Sequence, residues 1–212
     1  GRALNGKIML QGSKNSALPI LAATLAVGGT SVIHNCPVLT DITAALKILE
    51  HTGCKIKREG HTVIVDSSAA SRYDIPECMM REMRSSIIFL GALISRFGCA
   101  SVTPPGGCEI GLRPIDLHLS SLRRMGVDIS ENGGVLECRA PCGISPCHIA
   151  LAFPSVGATE NIMLASLRVK GETVITNAAR EPEIKDLADF LKKCGARISG
   201  AGQSVIRING VE

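Results

Sequence analysis

The sequence predicts an α/β fold in which one helix-strand-helix-hairpin unit occurs three times with approximate threefold symmetry. The same order of apolar and turn-forming segments recurs about every 70 residues. Units of this kind must stack to bury their apolar faces. We therefore expect residues 1–212 to form a single domain, with repeats at approximately 12–66, 80–140 and 155–210.

Each predicted unit begins with an apolar stretch of helical length. These stretches are Asn15 to Val27, Met83 to Arg96 and Ala158 to Val169. A glycine then precedes a run with high β propensity. The three pairs are Gly29 before TSVIHN, Gly98 before CASVTP and Gly171 before ETVITN.

A second helix and a hairpin complete each unit. Proline suits the first turn of a helix, and Pro37, Pro114 and Pro182 stand where the second helices should begin. Glycines at 53, 126 and 195 are placed to end them. The hairpins are expected over Lys55 to Val65, Asp128 to Cys138 and Arg197 to Ile208.

Composition limits the classes of function. The chain has no Trp, one Tyr and four Phe, which disfavours the aromatic platforms that bind single-stranded nucleic acid. Its net charge of +4 is scattered, and its apolar runs are shorter than the roughly 18 to 20 residues that span a bilayer. Nine irregularly spaced cysteines suggest reduced thiols in the cytoplasm. Because the chain opens with Gly1, we expect an excised piece of a longer protein.

Polar segments precede the first helix of each unit. They are Gly12 to Asn15, Met83 to Ser86 and Ser155 to Thr159. Threefold symmetry would bring these helix N-termini to one end of the domain, where free amides favour an anion. Lys14 and Arg84 add positive charge there. Taken singly, a segment of this kind is more often an ordinary exposed helix cap.

The segment PPGGCEIGLRPIDLH, residues 104–118, predicts a long loop that carries Cys108. A thiol at such a position can act as an acid, a nucleophile or a redox group. Arg113 on the same loop can hold a phosphate or carboxylate and would lower the pKa of Cys108, whereas Glu109 would raise it. The alternative is an inert loop cysteine.

Cys138, Cys142, Cys147 and His148 crowd one short stretch, but their spacing is not a standard zinc pattern. We expect no metal and no cofactor. Among the remaining histidines, only His118 lies beside a candidate binding loop.

Five segments together resemble the UDP-N-acetylglucosamine 1-carboxyvinyltransferases, within the EPSP synthase-like enolpyruvyl transferase family. They are, in order, GSKNSALPILAA, MRSSIIFLGALISRFG, PGGCEIGLRPIDLHL, FPSVGATENIMLA and NAAREPEI. The resemblance covers essentially the whole chain. It implies an inside-out α/β barrel, the first of two such domains in the enzyme.

The resemblance also implies the activity. Phosphoenolpyruvate would give its enolpyruvyl group to the 3-hydroxyl of UDP-N-acetylglucosamine with release of phosphate, the first committed step of peptidoglycan synthesis. Cys108 matches the proton donor, which fosfomycin alkylates, and Lys14, Asn15 and Arg113 match contacts to phosphoenolpyruvate. Contacts to the sugar nucleotide fall on Arg84, Arg113, Pro114, Ile115, Asp116, Leu117, Ser155, Val156 and Gly157.

The chain departs from the family pattern in three respects. Some members carry lysine and valine at Phe153-Pro154, and Glu109 replaces the small residue common after the cysteine. In the family, the proposed base for the sugar hydroxyl and further arginines that hold phosphoenolpyruvate lie in a second domain. We therefore expect negligible turnover from this chain alone. Two alternatives stay open: a non-catalytic module that binds nucleotide or RNA, and a shikimate-type transferase, which does not use the loop cysteine. The expected partners are the two substrates and the second domain, with no nucleic acid and no membrane.

Overall fold

The helices and strands follow one another in three similar groups. The computed structural model describes residues 3, 5–106 and 115–211, in which there are seven α-helices and eleven strands. The helices are α1 (Lys14–Val27), α2 (Thr40–His51), α3 (Glu77–Glu82), α4 (Phe89–Phe97), α5 (Asp116–Arg124), α6 (Val156–Ala165) and α7 (Pro182–Lys193). The strands are β1 (Thr30–Ile33), β2 (Lys55–Glu59), β3 (Thr62–Asp66), β4 (Asp74–Ile75), β5 (Cys99–Val102), β6 (Asp128–Asn132), β7 (Val135–Arg139), β8 (His148–Ala150), β9 (Glu172–Thr176), β10 (Arg197–Ser199) and β11 (Val205–Asn209).

The sheets share one topology, which confirms the predicted repeat. Their strand orders are β1-β3-β2, β4-β5-β7-β6 and β8-β9-β11-β10. In each sheet the last strand of the unit lies between its first strand and its hairpin partner. All three predicted hairpins are present and antiparallel: β2 with β3, β6 with β7 and β10 with β11.

Helices α1, α4 and α6 form the centre of the fold and contact one another. Their apolar residues lie on every face, so they must be surrounded by protein. Residues 89–95 of α4 and 158–165 of α6 are all buried. The outer helices bury one stripe each; α7 does so with Ile184, Leu187, Ala188 and Leu191. This layering is the expected inside-out arrangement, with helices inside and sheets outside.

The outer helices end as the sequence predicts. Gly53, Gly126 and Gly195 follow α2, α5 and α7 with φ values of 98°, 92° and 105°, a region that favours glycine. The predicted starts are less accurate. Pro182 is the first residue of α7, but Pro37 precedes Leu39, the N-cap of α2, and so lies outside that helix.

The first helix of the second unit is divided, which corrects the single helix expected over Met83 to Arg96. A 3-10 turn, Arg84–Ile88, precedes α4. At the junction, the side chain of Asn161 accepts a hydrogen bond from Gly91 N at 2.6 Å and donates one to Ile87 O at 2.9 Å. Those two backbone groups are the pair that an α-helix would bond to each other, so the inserted amide explains the break. The first helix of the third unit ends similarly in a 3-10 turn, Ser166–Arg168.

Two short strands lie in linkers where none was predicted. β4 pairs in parallel with β5, and β8 pairs in parallel with β9. Each strand extends the sheet of the unit that follows it. The first unit differs, because β1 has no second neighbouring strand among the described residues. No described helix is long and apolar enough to cross a membrane.

Candidate active site

A cavity of about 920 Å³ opens where the helices of all three units begin. Its wall includes the first residues of α1 and α6 and the 3-10 turn before α4, so the three polar segments do lie at one end of the fold. Residues near the starts of α2, α5 and α7 complete it. Helix N-termini present unbonded amides and positive dipole ends, which favour an anionic ligand, although Asp41, Glu82, Glu160 and Glu183 also line the wall.

Lys14 and Asn15 line the cavity from the first turn of α1. Lys14 Nζ donates to Asp41 Oδ2 at 2.7 Å, and Asn15 Nδ2 donates to Glu183 Oε1 at 3.4 Å. Both side chains are exposed to solvent, so these contacts leave them accessible to a ligand. Their acidic partners hold the two side chains at the cavity wall in the absence of ligand.

Arg84 also lines the cavity and is exposed. Its neighbour Arg81 pairs with Glu77, whereas Arg84 forms no ion pair with any described carboxylate. Arg84 is therefore the basic side chain of the described cavity wall whose charge is not already paired. A phosphate group entering the cavity can bind it without displacing another residue.

The stretch from Ser155 to Gly157 forms the start of α6 and lines the cavity. Ser155 has a structural role as well, because its side chain caps α6 by accepting a hydrogen bond from Ala158 N at 3.4 Å. Ile115 also lines the cavity, whereas Asp116 and Leu117, on the first turn of α5, do not.

Cys108, Arg113 and Pro114 lie outside the described residues. The two flanks of that stretch are described: Pro105 and Gly106 on one side and Ile115 on the other line the cavity.

His118, on α5, is only 8% exposed and lines the cavity. Burial lowers its pKa to about 4, while the carboxylate of Asp116 acts in the opposite direction. The imidazole is therefore neutral at physiological pH. Its Nδ1 lies 2.6 Å from Asn161 Nδ2, and its Cε1 lies 3.0 Å from the position that a side chain at Gly157 would occupy. The glycine allows the ring to reach the start of α6.

Glu160, on α6, is a site residue that sequence reasoning missed. It is 3% exposed, lines the cavity and accepts no hydrogen bond from the described residues. Burial and, to a smaller extent, the carboxylates of Glu183 and Glu181 raise its pKa to about 8. The available signal was a single acidic residue within the otherwise uncharged stretch GATENIMLA.

The cysteine-rich stretch shows no metal-binding geometry. Cys138 is buried on β7, whereas Cys142 is exposed. Within residues 3, 5–106 and 115–211, no group of three or more His, Cys, Asp or Glu side chains is arranged to hold a metal ion.

The sequence profile of one family, EPSP synthase (3-phosphoshikimate 1-carboxyvinyltransferase), matches residues 1–212. The chain belongs to the EPSP synthase family. Its fold agrees with solved members of similar architecture. The enolpyruvyl transferase NikO from Streptomyces tendae superposes with a TM-score of 0.86 at 25% identity, over 100% of this chain and 49% of that one. EPSP synthase from Acinetobacter baumannii, at 20% identity, has the same fold with a TM-score of 0.74, over 98% of this chain and 47% of its own.

Curated relatives within the EPSP synthase family carry a more specific name. UDP-N-acetylglucosamine 1-carboxyvinyltransferase 2 of Caldanaerobacter subterraneus subsp. tengcongensis is 51% identical over 212 residues, which cover 100% of this chain and 51% of the relative. UDP-N-acetylglucosamine 1-carboxyvinyltransferase of Endomicrobium trichonymphae is 47% identical, with the same coverage. The chain thus spans about half the length of the curated relatives it matches.

Proposed function

We propose that this chain is the first of two domains of a UDP-N-acetylglucosamine 1-carboxyvinyltransferase. The observation that carries the proposal is the cavity at the helix N-termini, which Lys14 and Arg84 line and which both flanks of the Cys108 stretch reach. Identity of 51% along the whole chain to a relative of that name supports it. The enzyme would act in the cytoplasm in peptidoglycan synthesis, and through it in cell-wall formation, cell shape and division.

In the proposed reaction, Cys108 supplies a proton to the methylene carbon of phosphoenolpyruvate. The sugar 3-oxygen bonds to the adjacent carbon as its proton passes to a base of the second domain, which gives a tetrahedral intermediate. Return of a proton from the methyl group to the Cys108 thiolate and departure of phosphate would then restore the double bond. Electrostatic stabilisation of the phosphate and carboxylate groups by the helix N-termini would favour binding and the departure of phosphate.

The residues divide between the two substrates. Lys14, Asn15 and Arg113 would hold phosphoenolpyruvate. The sugar nucleotide would contact Arg84, the stretch from Arg113 to Leu117, and Ser155 to Gly157. Asp116 and Leu117 lie outside the described cavity wall, so Ile115 is the described residue of this stretch that lines it.

The test is a titration of the isotope-labelled chain with UDP-N-acetylglucosamine, followed by backbone amide shifts, with a short RNA as competing ligand. Saturable shifts at Ser155 to Gly157 and around Ile115 with the sugar nucleotide are expected. If only the RNA shifts the amide signals, the result would instead support a nucleic-acid-binding module. If neither ligand shifts them, the proposal that this chain binds the sugar nucleotide would be overturned.

Turnover requires a separate measurement, because closure of a two-domain cleft excludes water and aligns the reactants. We expect the 212-residue chain to release negligible phosphate from the two substrates. Fosfomycin should nevertheless add to the chain, and Cys108→Ser should abolish the added mass while the other cysteines stay unmodified. Steady phosphate release would contradict the two-domain proposal.

A further inference from the structure

The side-chain amide of Asn161 has only one possible orientation. Its Oδ1 lies 2.6 Å from Gly91 N, which can only donate, and its Nδ2 lies 2.9 Å from Ile87 O, which can only accept. Asn161 is buried, and both partners belong to the break between the 3-10 turn and α4. If the amide were rotated by 180°, its NH₂ group would face Gly91 N–H and its oxygen would face Ile87 O, and neither hydrogen bond could form. The two backbone groups therefore fix which side-chain atom is the nitrogen.

This orientation determines the tautomer of His118. The second hydrogen of Asn161 Nδ2 points to His118 Nδ1 at 2.6 Å, and an amide nitrogen cannot accept a hydrogen bond. His118 Nδ1 must therefore be unprotonated. Because the imidazole is neutral, its single hydrogen lies on Nε2.

The Nε2–H group is available at the cavity. It donates to no described residue, and the Nε2 edge of the ring lies 3.4 Å from the position of a side chain at Gly157. His118 thus lies between two parts of the wall proposed to bind sugar nucleotide, Ile115 and Ser155 to Gly157. Water or a ligand can reach this group, because His118 Nε2 is not one of the described buried side-chain atoms that lack a hydrogen-bond partner.

We propose that Asn161 is a positioning residue that holds His118 as a neutral Nε2–H donor to an oxygen of the bound sugar nucleotide. This inference rests on the proposed function for the identity of the ligand, but the assignment of the tautomer does not. A neutral donor confers selectivity without adding charge to a cavity that already contains Lys14 and Arg84. It also leaves hydrogen bonding at this point independent of pH across the physiological range.

The tautomer is tested first, with histidine labelled by ¹⁵N in the full chain and no ligand. The expected spectrum of His118 has a pyridine-like Nδ1 and a protonated Nε2 from pH 6 to 8, values chosen well above the pKa of about 4. Asn161→Asp places a carboxylate acceptor beside His118 Nδ1. The variant should move the imidazole hydrogen from Nε2 to Nδ1 or protonate both ring nitrogens. A wild-type spectrum with the hydrogen on Nδ1 would overturn the inference, even if the Asp variant does not fold.

The ligand contact is tested by titrating the same labelled chain with UDP-N-acetylglucosamine. His118 Nε2–H should shift and become protected from exchange on saturation. His118→Asn keeps an acceptor near Asn161 but removes the Nε2 donor, and should weaken binding about fivefold to tenfold. His118→Gln retains a donor near the Nε2 position and should recover most of that affinity.

The outcomes distinguish the donor role of His118 from the proposed function of the chain. If backbone amides shift with ligand while Nε2–H does not, or if His118→Asn binds as tightly as the wild type, the donor role is wrong and the proposed function survives. If nothing shifts, the proposed function fails for this chain, and the ligand part of the inference fails with it. The wild-type spectrum still decides the role of Asn161.

Discussion

Lys14 Nζ and Asp41 Oδ2 lie 2.7 Å apart, and both side chains line the cavity at the N-terminal ends of α1 and α2. The pair is partly exposed, with 44% and 31% of the two side chains accessible, so it contributes little to stability. Its effect falls on ligand binding, because an anion must share Lys14 with Asp41.

Removal of Lys14 should weaken anion binding, and removal of its partner should strengthen it. We expect Lys14→Met to reduce sulfate affinity roughly tenfold and Asp41→Asn to raise it about twofold to threefold. Sulfate suits calorimetry here because its charge is constant at neutral pH. Lys57→Met is the matched control, since Lys57 is also exposed and paired, with Glu59 at 2.6 Å, and neither residue lines the cavity. Equal losses from both lysine variants would contradict a specific site.

Glu160 should make the fold less stable as pH rises. Its pKa is about 8 in the folded chain against an ordinary value of 4.5, so between these values the unfolded chain loses a proton that the folded chain keeps. Stability therefore falls by up to about 1.4 kcal/mol per pH unit over that window. Glu160→Gln should remove the decline and stabilise the fold at pH 8, measured by urea unfolding from pH 5 to 9.

The control for this titration is Glu131→Gln, because Glu131 is exposed on β6. It should leave the pH dependence unchanged. A Glu160→Gln variant with the same slope as the wild type would show that Glu160 ionises normally in the folded chain.

Gly91 allows α4 and α6 to approach closely. A side chain there would clash with Asn161 O and would lie 2.7 Å from Asn161 Oδ1. We expect Gly91→Ala to cost roughly 2 to 3 kcal/mol of unfolding free energy through overpacking. Gly29→Ala is the matched control, since nothing lies within 4 Å of its side-chain position. If the two variants unfold at the same urea concentration, the close contact between Gly91 and Asn161 would be refuted.

Arg168 stabilises the C-terminal end of α1, far along the chain from that helix. Its guanidinium donates to Ala26 O at 2.9 Å and to Val27 O at 3.0 Å. These carbonyls end a buried helix and carry its negative dipole end. Arg168→Met should lower stability by about 1 kcal/mol. Lys170→Met, at an exposed position nearby, should leave the unfolding midpoint almost unchanged.

The repeat and most of its elements could be predicted because their signals are local. Helix α1 is apolar on all faces, and Gly53, Gly126 and Gly195 end the outer helices wherever those helices pack. The location of the cavity followed from symmetry, since equivalent helices must begin at equivalent places.

What the sequence did not predict depends on distant partners. The division before α4 is caused by Asn161, which is 70 residues from Gly91 along the chain. Strands β4 and β8 have only two and three residues, too few for a period-2 pattern. Glu160 resembles any helical glutamate until the fold buries it near Glu181 and Glu183.

Within the described part of the chain, strand β1 has one edge with no neighbouring strand, whereas β4 and β8 occupy the equivalent edges of the other two sheets. Along that edge the backbone donors and acceptors face outward, and Val32 on the same strand is 50% exposed. A strand added there in parallel would give the first sheet the same four-stranded order as the others. Among the described residues, the edge of β1 is therefore the place where one more parallel strand would complete the likeness of the three sheets.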